Sequence, residues 1–156
     1  MGYAVASLIG DLAFFFWGKG RRYTIDNMRQ VLGPMADQAQ VHHLARETLR
    51  NYCKTLADFL YLPKLTGEDV DRLVSFDRWD LFDRALAPGK GAIFVTAHMG
   101  SWDLGGAAMG RKGYPFTVLV DAFPGAALNR RIVEIRQEKG FSIIPARGVP
   151  KAAVKT

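Results

Sequence analysis

The stretch Gly91-Ala-Ile-Phe-Val-Thr-Ala-His-Met-Gly-Ser-Trp-Asp103 changes its period partway along, and that change decides the fold. Gly91 to Thr96 is a short apolar run with β-branched side chains, bounded by Gly89-Lys90-Gly91 before it and His98-Met-Gly100 after it, which predicts a buried strand. Ser101 then stands as N-cap for a helix from Trp102 to about Arg111. The alternation continues with a second strand over Phe116 to Val120, a helix over Ala126 to Lys139 and a third strand over Phe141 to Pro145. Strands that alternate with helices predict a parallel sheet in an α/β domain. The terminal Lys151-Ala-Ala-Val-Lys-Thr156 reads as the opening of another helix, so the sheet is expected to be part of a larger one.

Towards the amino end the pattern is helical. Between Met35 and Leu62, apolar side chains at Val41, Leu44, Ala45, Leu49, Tyr52, Leu56, Phe59 and Leu60 recur at three-and-four spacing. Pro63 stops that helix, and Thr66-Gly-Glu-Asp69 restarts a short one, with acids where the positive end of the helix dipole favours them. A further helix is predicted from Asp77 to Leu86, before the Pro88-Gly89 turn. The fold class is therefore α/β: N-terminal helices followed by alternating strands and helices forming part of a parallel sheet.

Met1 to Trp17 is apolar except for Asp11, whereas a spanning helix wants about 20 apolar residues without a central acid. Its phenylalanines and tryptophan, followed by Lys19, Arg21 and Arg22, suit a segment lying on an anionic membrane surface, and a buried core helix is the alternative. The expected organisation is a membrane-anchoring segment over 1–22 and the N-terminal part of an α/β domain over 23–156, truncated at its carboxyl end.

Composition narrows the function classes. With 156 residues, 49% hydrophobic and 23% charged, the chain has the makings of a folded domain and lacks the signature of disorder. The net charge of +6 is distributed as +3 over 1–64, −3 over 65–109 and +6 over 110–156. A basic excess implies an anionic partner. Nucleic acid is disfavoured, because there is no recognised motif and the aromatics concentrate in the amino-terminal segment rather than among the basic residues. The single cysteine, Cys53, excludes an internal disulfide and fits a reducing compartment. His42 and His43 are adjacent and so point to different faces of a helix, and no metal is expected.

The chemistry-bearing feature is His98 with Asp103. His98 lies at the carboxyl end of the first predicted strand, where open α/β sheets place their binding crevice, and the turn at Gly100 can fold Asp103 back towards it. A carboxylate on one imidazole nitrogen leaves the other free to accept a proton, so the pair could activate a substrate hydroxyl directly. Ser101 is not the expected nucleophile, since Met-Gly-Ser-Trp-Asp lacks the Gly-x-Ser-x-Gly elbow. Arg136 and Arg147 are candidates for holding phosphate on a substrate, because the guanidinium fork binds it at two points. The remaining arginines, Arg130 and Arg131 among them, are expected on the surface.

Strand, His98-Met-Gly-Ser-Trp-Asp103, then helix resembles the His-x4-Asp/Glu motif of lysophospholipid acyltransferases, most closely bacterial lipid A late acyltransferases and phosphatidylinositol mannoside acyltransferases. These usually read His-x-Gly-Asn-Trp-Glu/Asp; His98, Gly100, Trp102 and Asp103 match, and Ser101 departs from the asparagine. The likeness extends from Asn27-Met-Arg-Gln-Val-Leu-Gly33 through Pro88-Gly-Lys-Gly-Ala-Ile to Arg136-Gln-Glu-Lys-Gly140 and Ile143-Ile-Pro145. Gly140 to Arg147 also resembles a second acyltransferase block that ends in arginine after a strand, one residue longer here.

The resemblance implies an O-acyltransferase of lipid biosynthesis at the cytoplasmic face of a bacterial inner membrane. His98 would be the general base and Asp103 its orienting partner, with Gly100, Trp102, Arg136 and Arg147 on the substrate side. An acyl carrier protein or coenzyme A thioester would be the donor, a hydroxyl of a membrane glycolipid or lysophospholipid the acceptor, and no cofactor is required. The resemblance further implies roughly twice this length, which leaves a second reading open: a catalytically silent membrane-binding module.

Overall fold

The computed structural model describes residues 2–146. Its chain forms two compact units that divide between Tyr61 and Leu62. The amino-terminal segment therefore shares a unit with the two helices that follow it.

The first unit contains α1 (Gly2–Phe16), α2 (Gly18–Leu32) and α3 (Gln38–Tyr61). The three-and-four spacing read from the sequence becomes the inner face of α3, where Val41, Ala45 and Leu49 are buried with Phe14 and Ile25. Of these, Val41, Leu49, Phe14 and Ile25 each contribute roughly 1.5–3 kcal/mol by leaving water. Asp37 starts α3, its carboxylate accepting from the Gln40 amide at 3.0 Å. Between α1 and α2 the chain bends at Trp17, whose ring lies so close over Gly20 that a Cβ there would meet it at 2.2 Å.

Helices α1 and α3 approach closely because α1 has a glycine at the contact. A Cβ on Gly10 would stand 2.5 Å from the Arg50 Cα. Beside it Asp11, the acid that interrupts the apolar segment, accepts from Arg46 Nε at 2.7 Å and pairs with Arg50 Nε at 3.7 Å. The Arg46 hydrogen bond holds the Asp11 carboxyl below its ordinary range.

The second unit begins with a 3₁₀ turn at Leu62–Lys64 containing Pro63. It continues through α4 (Gly67–Leu73), α5 (Trp79–Leu86), α6 (Trp102–Arg111), β1 (Phe116–Val120), α7 (Ala126–Glu138) and β2 (Phe141–Pro145). Thr66 and Asp69 close a reciprocal capping box at the start of α4. β1 and β2 pair in parallel, Phe116 opposite Phe141 and Val120 opposite Pro145, with α7 as the crossover. Helix α6 lies near β2 and the turn before it, where Gly106 leaves room for the Phe141 ring and Gly110 for the Lys139 carbonyl.

The strands at Phe116–Val120 and Phe141–Pro145 and the parallel sheet agree with the sequence reading. The strand expected over Gly91 to Thr96 does not form: this segment joins no ladder among the described residues, and Ile93 and Val95 are 95% and 94% exposed. Phe94 stacks on Phe82 with ring centroids 4.8 Å apart. The run has the composition of a strand covered on both faces. Without a paired neighbour the composition alone does not make one. Ser101 stands at the N-cap of α6 (Trp102–Arg111) as expected, but its hydroxyl makes no capping bond; its carbonyl receives the Gly105 amide at 3.3 Å. The segments around Arg147 and Lys151 to Thr156 lie outside the described residues.

Two outcomes test this description. Gly10→Ala should destabilise the helical unit by about 1–3 kcal/mol in thermal unfolding, because the new methyl meets backbone rather than a movable side chain. Gly2→Ala, with nothing within 4 Å, should leave the melting point unchanged.

The capping box gives a pH dependence. Hydrogen bonds from the Thr66 side chain and backbone, and then from Arg72, lower the Asp69 pKa from 3.8 to about 2. Its contribution is therefore complete above about pH 4 and is lost as the pH falls towards about 2. In denaturant titrations, Asp69→Asn should be less stable than the parent near neutrality, and the gap should narrow through that window.

Candidate functional site

The site is carried by the loop that leads into α6. Ala97, His98 and Met99 form a tight three-residue turn, the Met99 amide reaching the Ala97 carbonyl at 2.9 Å, so His98 sits at its apex. Gly100 follows with φ +64°, in the left-handed region that glycine enters without strain, and turns the chain into the helix at Trp102. The His98 side chain is exposed, and its ring packs against that of Trp102 with centroids 5.1 Å apart at 59°. Neither imidazole nitrogen has a hydrogen-bond partner among the described residues.

Asp103 faces the other way. It is 4% exposed, and its two oxygens accept from Arg136 Nε at 2.8 Å and Nη2 at 3.4 Å. The carboxylate also lies in the first turn of α6, where the dipole favours negative charge. Arg136 reaches it from the buried stripe of α7, which it shares with Ile132 and Ile135.

The six candidate residues thus resolve into two pairs, the Gly100 turn and an outlier. His98 meets Trp102 across the Gly100 turn and Asp103 meets Arg136, while Arg147 lies outside the described residues. The structure does not bring His98 and Asp103 into hydrogen-bonding contact: the helix start directs Asp103 inwards to α7, and the loop carries His98 outwards. The Asp103–Arg136 pair joins residues 33 apart, a separation that no local motif spans. A signal was present, because an arginine one residue after Ile135 and four after Ile132 falls on the apolar face of α7 and needs a buried acid.

Beside this pair a cavity of about 90 Å³ opens at the carboxyl ends of β1 and β2, lined by Val120, Asn129, Ile132, Arg136, Ile143 and Pro145 among others. That is where parallel sheets commonly receive ligands. A larger cavity of about 350 Å³, between the start of α4, α6 and the turn after α7, contains none of the nominated residues. Arg131 pairs with Glu134 and Glu138 on the exposed side of α7, as a solvated face does. Burial pushes the Cys53 thiol up, away from nucleophilic character. Among the described residues no group of three His, Cys, Asp or Glu side chains is placed to hold a metal ion.

The sequence profile of the family described as bacterial lipid A biosynthesis acyltransferase matches residues 2–156. A phosphatidylinositol mannoside acyltransferase of Mycolicibacterium smegmatis is 29% identical over 167 residues, covering 95% of this chain and 53% of the relative. The Mycobacterium tuberculosis protein of the same description is 27% identical over 126 residues, covering 78% of this chain and 39% of the relative. The chain therefore spans about half the length, or less, of the curated relatives it matches.

Arg136→Met should leave the Asp103 carboxylate buried without its partner and cost about 3–5 kcal/mol, read as lost hydrogen-exchange protection in α6 and α7. Pairing it with Asp103→Leu should restore most of that protection, since an apolar pair of similar size needs no compensation. A double variant as weak as the single one would show that the pair is not what holds these helices.

Proposed function

From the premise that the chain belongs to the bacterial lipid A biosynthesis acyltransferase family, we propose that it serves fatty acyl transfer to a hydroxyl of a membrane glycolipid or lysophospholipid, with His98 as general base. The observation that carries the reading is the exposed His98 imidazole, presented at the apex of a tight turn inside the matched family region. Its neutral form has one nitrogen able to accept a proton.

The proposed step needs no covalent enzyme intermediate. As the acceptor hydroxyl gives its proton to His98, its oxygen bonds to the carbonyl carbon of an acyl carrier protein or coenzyme A thioester. The carbon–sulfur bond breaks, and the departing thiolate takes the proton back from the imidazolium. The products are an ester and a free thiol, and the histidine returns to its starting state.

Asp103 has a different part in this reading from the one the motif first suggests. Its hydrogen bonds to Arg136 support a positioning role: the pair fixes the first turn of α6, and with it the Gly100 turn and the Trp102 ring against which His98 rests. Arg136, held by that bond, lines the small cavity, and in this reading it stands on the side where a phosphate-bearing substrate would be bound. The cytoplasmic face of the inner membrane, where acyl thioesters are made available, is the proposed place of action.

One observation favours a second reading, a catalytically silent membrane-binding module: His98 has no orienting hydrogen bond among the described residues. A single assay separates the two. Purified chain is incubated with palmitoyl-coenzyme A and phosphatidylinositol mannoside or lysophospholipid vesicles, and released thiol and acylated lipid are followed. The acyltransferase reading expects turnover that falls by roughly 10²–10⁴ in His98→Ala with the circular dichroism spectrum unchanged. Equal turnover in the variant overturns the role of His98. No thioester consumption by the parent chain favours the silent module.

A further inference from the structure

We propose that the larger cavity, between the start of α4, the end of α6 and the turn after α7, binds a small organic acid: a carboxylate head on a short apolar body. This stands on the second unit alone and does not depend on acyl transfer.

Three elements that are distant in sequence build the walls. Leu65 and Val70, at the start of α4, and Ala107 of α6 supply a buried apolar part of the lining. Glycine sets the turn after α7 against the end of α6, since a Cβ on Gly110 would stand 2.4 Å from the Lys139 carbonyl oxygen. That close approach brings Arg111 and Lys139 to one cavity. At about 350 Å³ it falls within the size range of small-molecule sites.

The polar part of the lining is cationic. Arg111 stands in the last turn of α6 and Lys139 at the C-cap of α7. One cation at a helix carboxyl end is ordinary, because the dipole favours it. Two cations from different helices on the same cavity offer paired donors to a single guest.

Neither cation is used up by the fold. The half-buried Lys139 ammonium donates to the Leu65 carbonyl at 2.8 Å, and Arg111 Nε donates to the Asp71 carboxylate at 3.2 Å. Among the described residues each thus spends one donor, where an ammonium has three and a guanidinium five. The carboxylate in the lining, Glu138, pairs with Arg131 at 3.5 Å. Donors and positive charge beside an apolar patch are complementary to an amphipathic anion, and a carboxylate has acceptor capacity for both cations.

Titration of the isotope-labelled whole chain by NMR tests the proposal, with hexanoate, acetate and 1-hexanol as probes. The amides of Gly67, Gly110 and Gly140, which line the cavity, report occupancy. Hexanoate should shift them saturably. It should bind at least about tenfold more tightly than acetate, which lacks the apolar body, or hexanol, which lacks the charge. Arg111→Met with Lys139→Met should reduce hexanoate to the level of hexanol. Asp71→Asn, which releases Arg111 from an exposed ion pair, should tighten hexanoate by about two- to fivefold, a gain that damage to the fold would not produce. Absence of a saturable shift with hexanoate overturns the proposal. So does equal affinity for acetate or hexanol, undiminished binding in the double variant, or weaker binding in Asp71→Asn.

Discussion

An arginine placed on the apolar stripe of a helix sets a constraint that its surroundings must meet. Arg136 is largely withdrawn from water beside Ile132 and Ile135, and a buried cation without a partner would cost several kcal/mol. Asp103 meets that demand, and to do so the first turn of α6 must stand against α7 with its carboxylate inwards. The position of α6 then constrains the loop before it. Gly100 makes the turn, Trp102 begins the helix, and the His98 ring lies against the indole. A buried pair of this sort adds little net stability over an apolar one. It specifies which helix faces which.

Much of the architecture was legible because its signals are local. The inner face of α3 follows from Val41, Ala45 and Leu49, the start of α4 from Thr66 and Asp69, and β1 and β2 from short β-branched runs between turn glycines. The segment over Gly91 to Thr96 was misread for a non-local reason. Apolar, β-branched composition records what a segment is suited to pair with, and pairing is settled by neighbours that the segment itself does not name. One face of the first helix packs on α3, as the buried-helix alternative expects, and its other face is exposed.

The site was less legible than the fold. His98, Trp102, Asp103 and Arg136 were all nominated from the sequence, but the partnership between His98 and Asp103 rested on a spacing of five and a turn assumed to close it. The direction of Asp103 depends on Arg136, 33 positions away, and no motif centred on the histidine contains that information. What could have revealed it is the helical pattern of α7, where a charge interrupts an apolar stripe. Paired helices can be read from such interruptions when both partners of opposite sign are sought at once.

The uncovered run before His98 bears on how this chain behaves in company. Ala92-Ile-Phe-Val-Thr-Ala97 is six residues long, uncharged, free of proline and largely exposed, the profile of a segment that pairs with copies of itself. Lys90, two residues before it, is the nearest charge, an ordinary gatekeeper against such stacking. The residues that bring the histidine to the surface are therefore also an exposed route to aggregation. Whatever covers Ile93 and Val95 protects solubility as well as the loop that carries the proposed base.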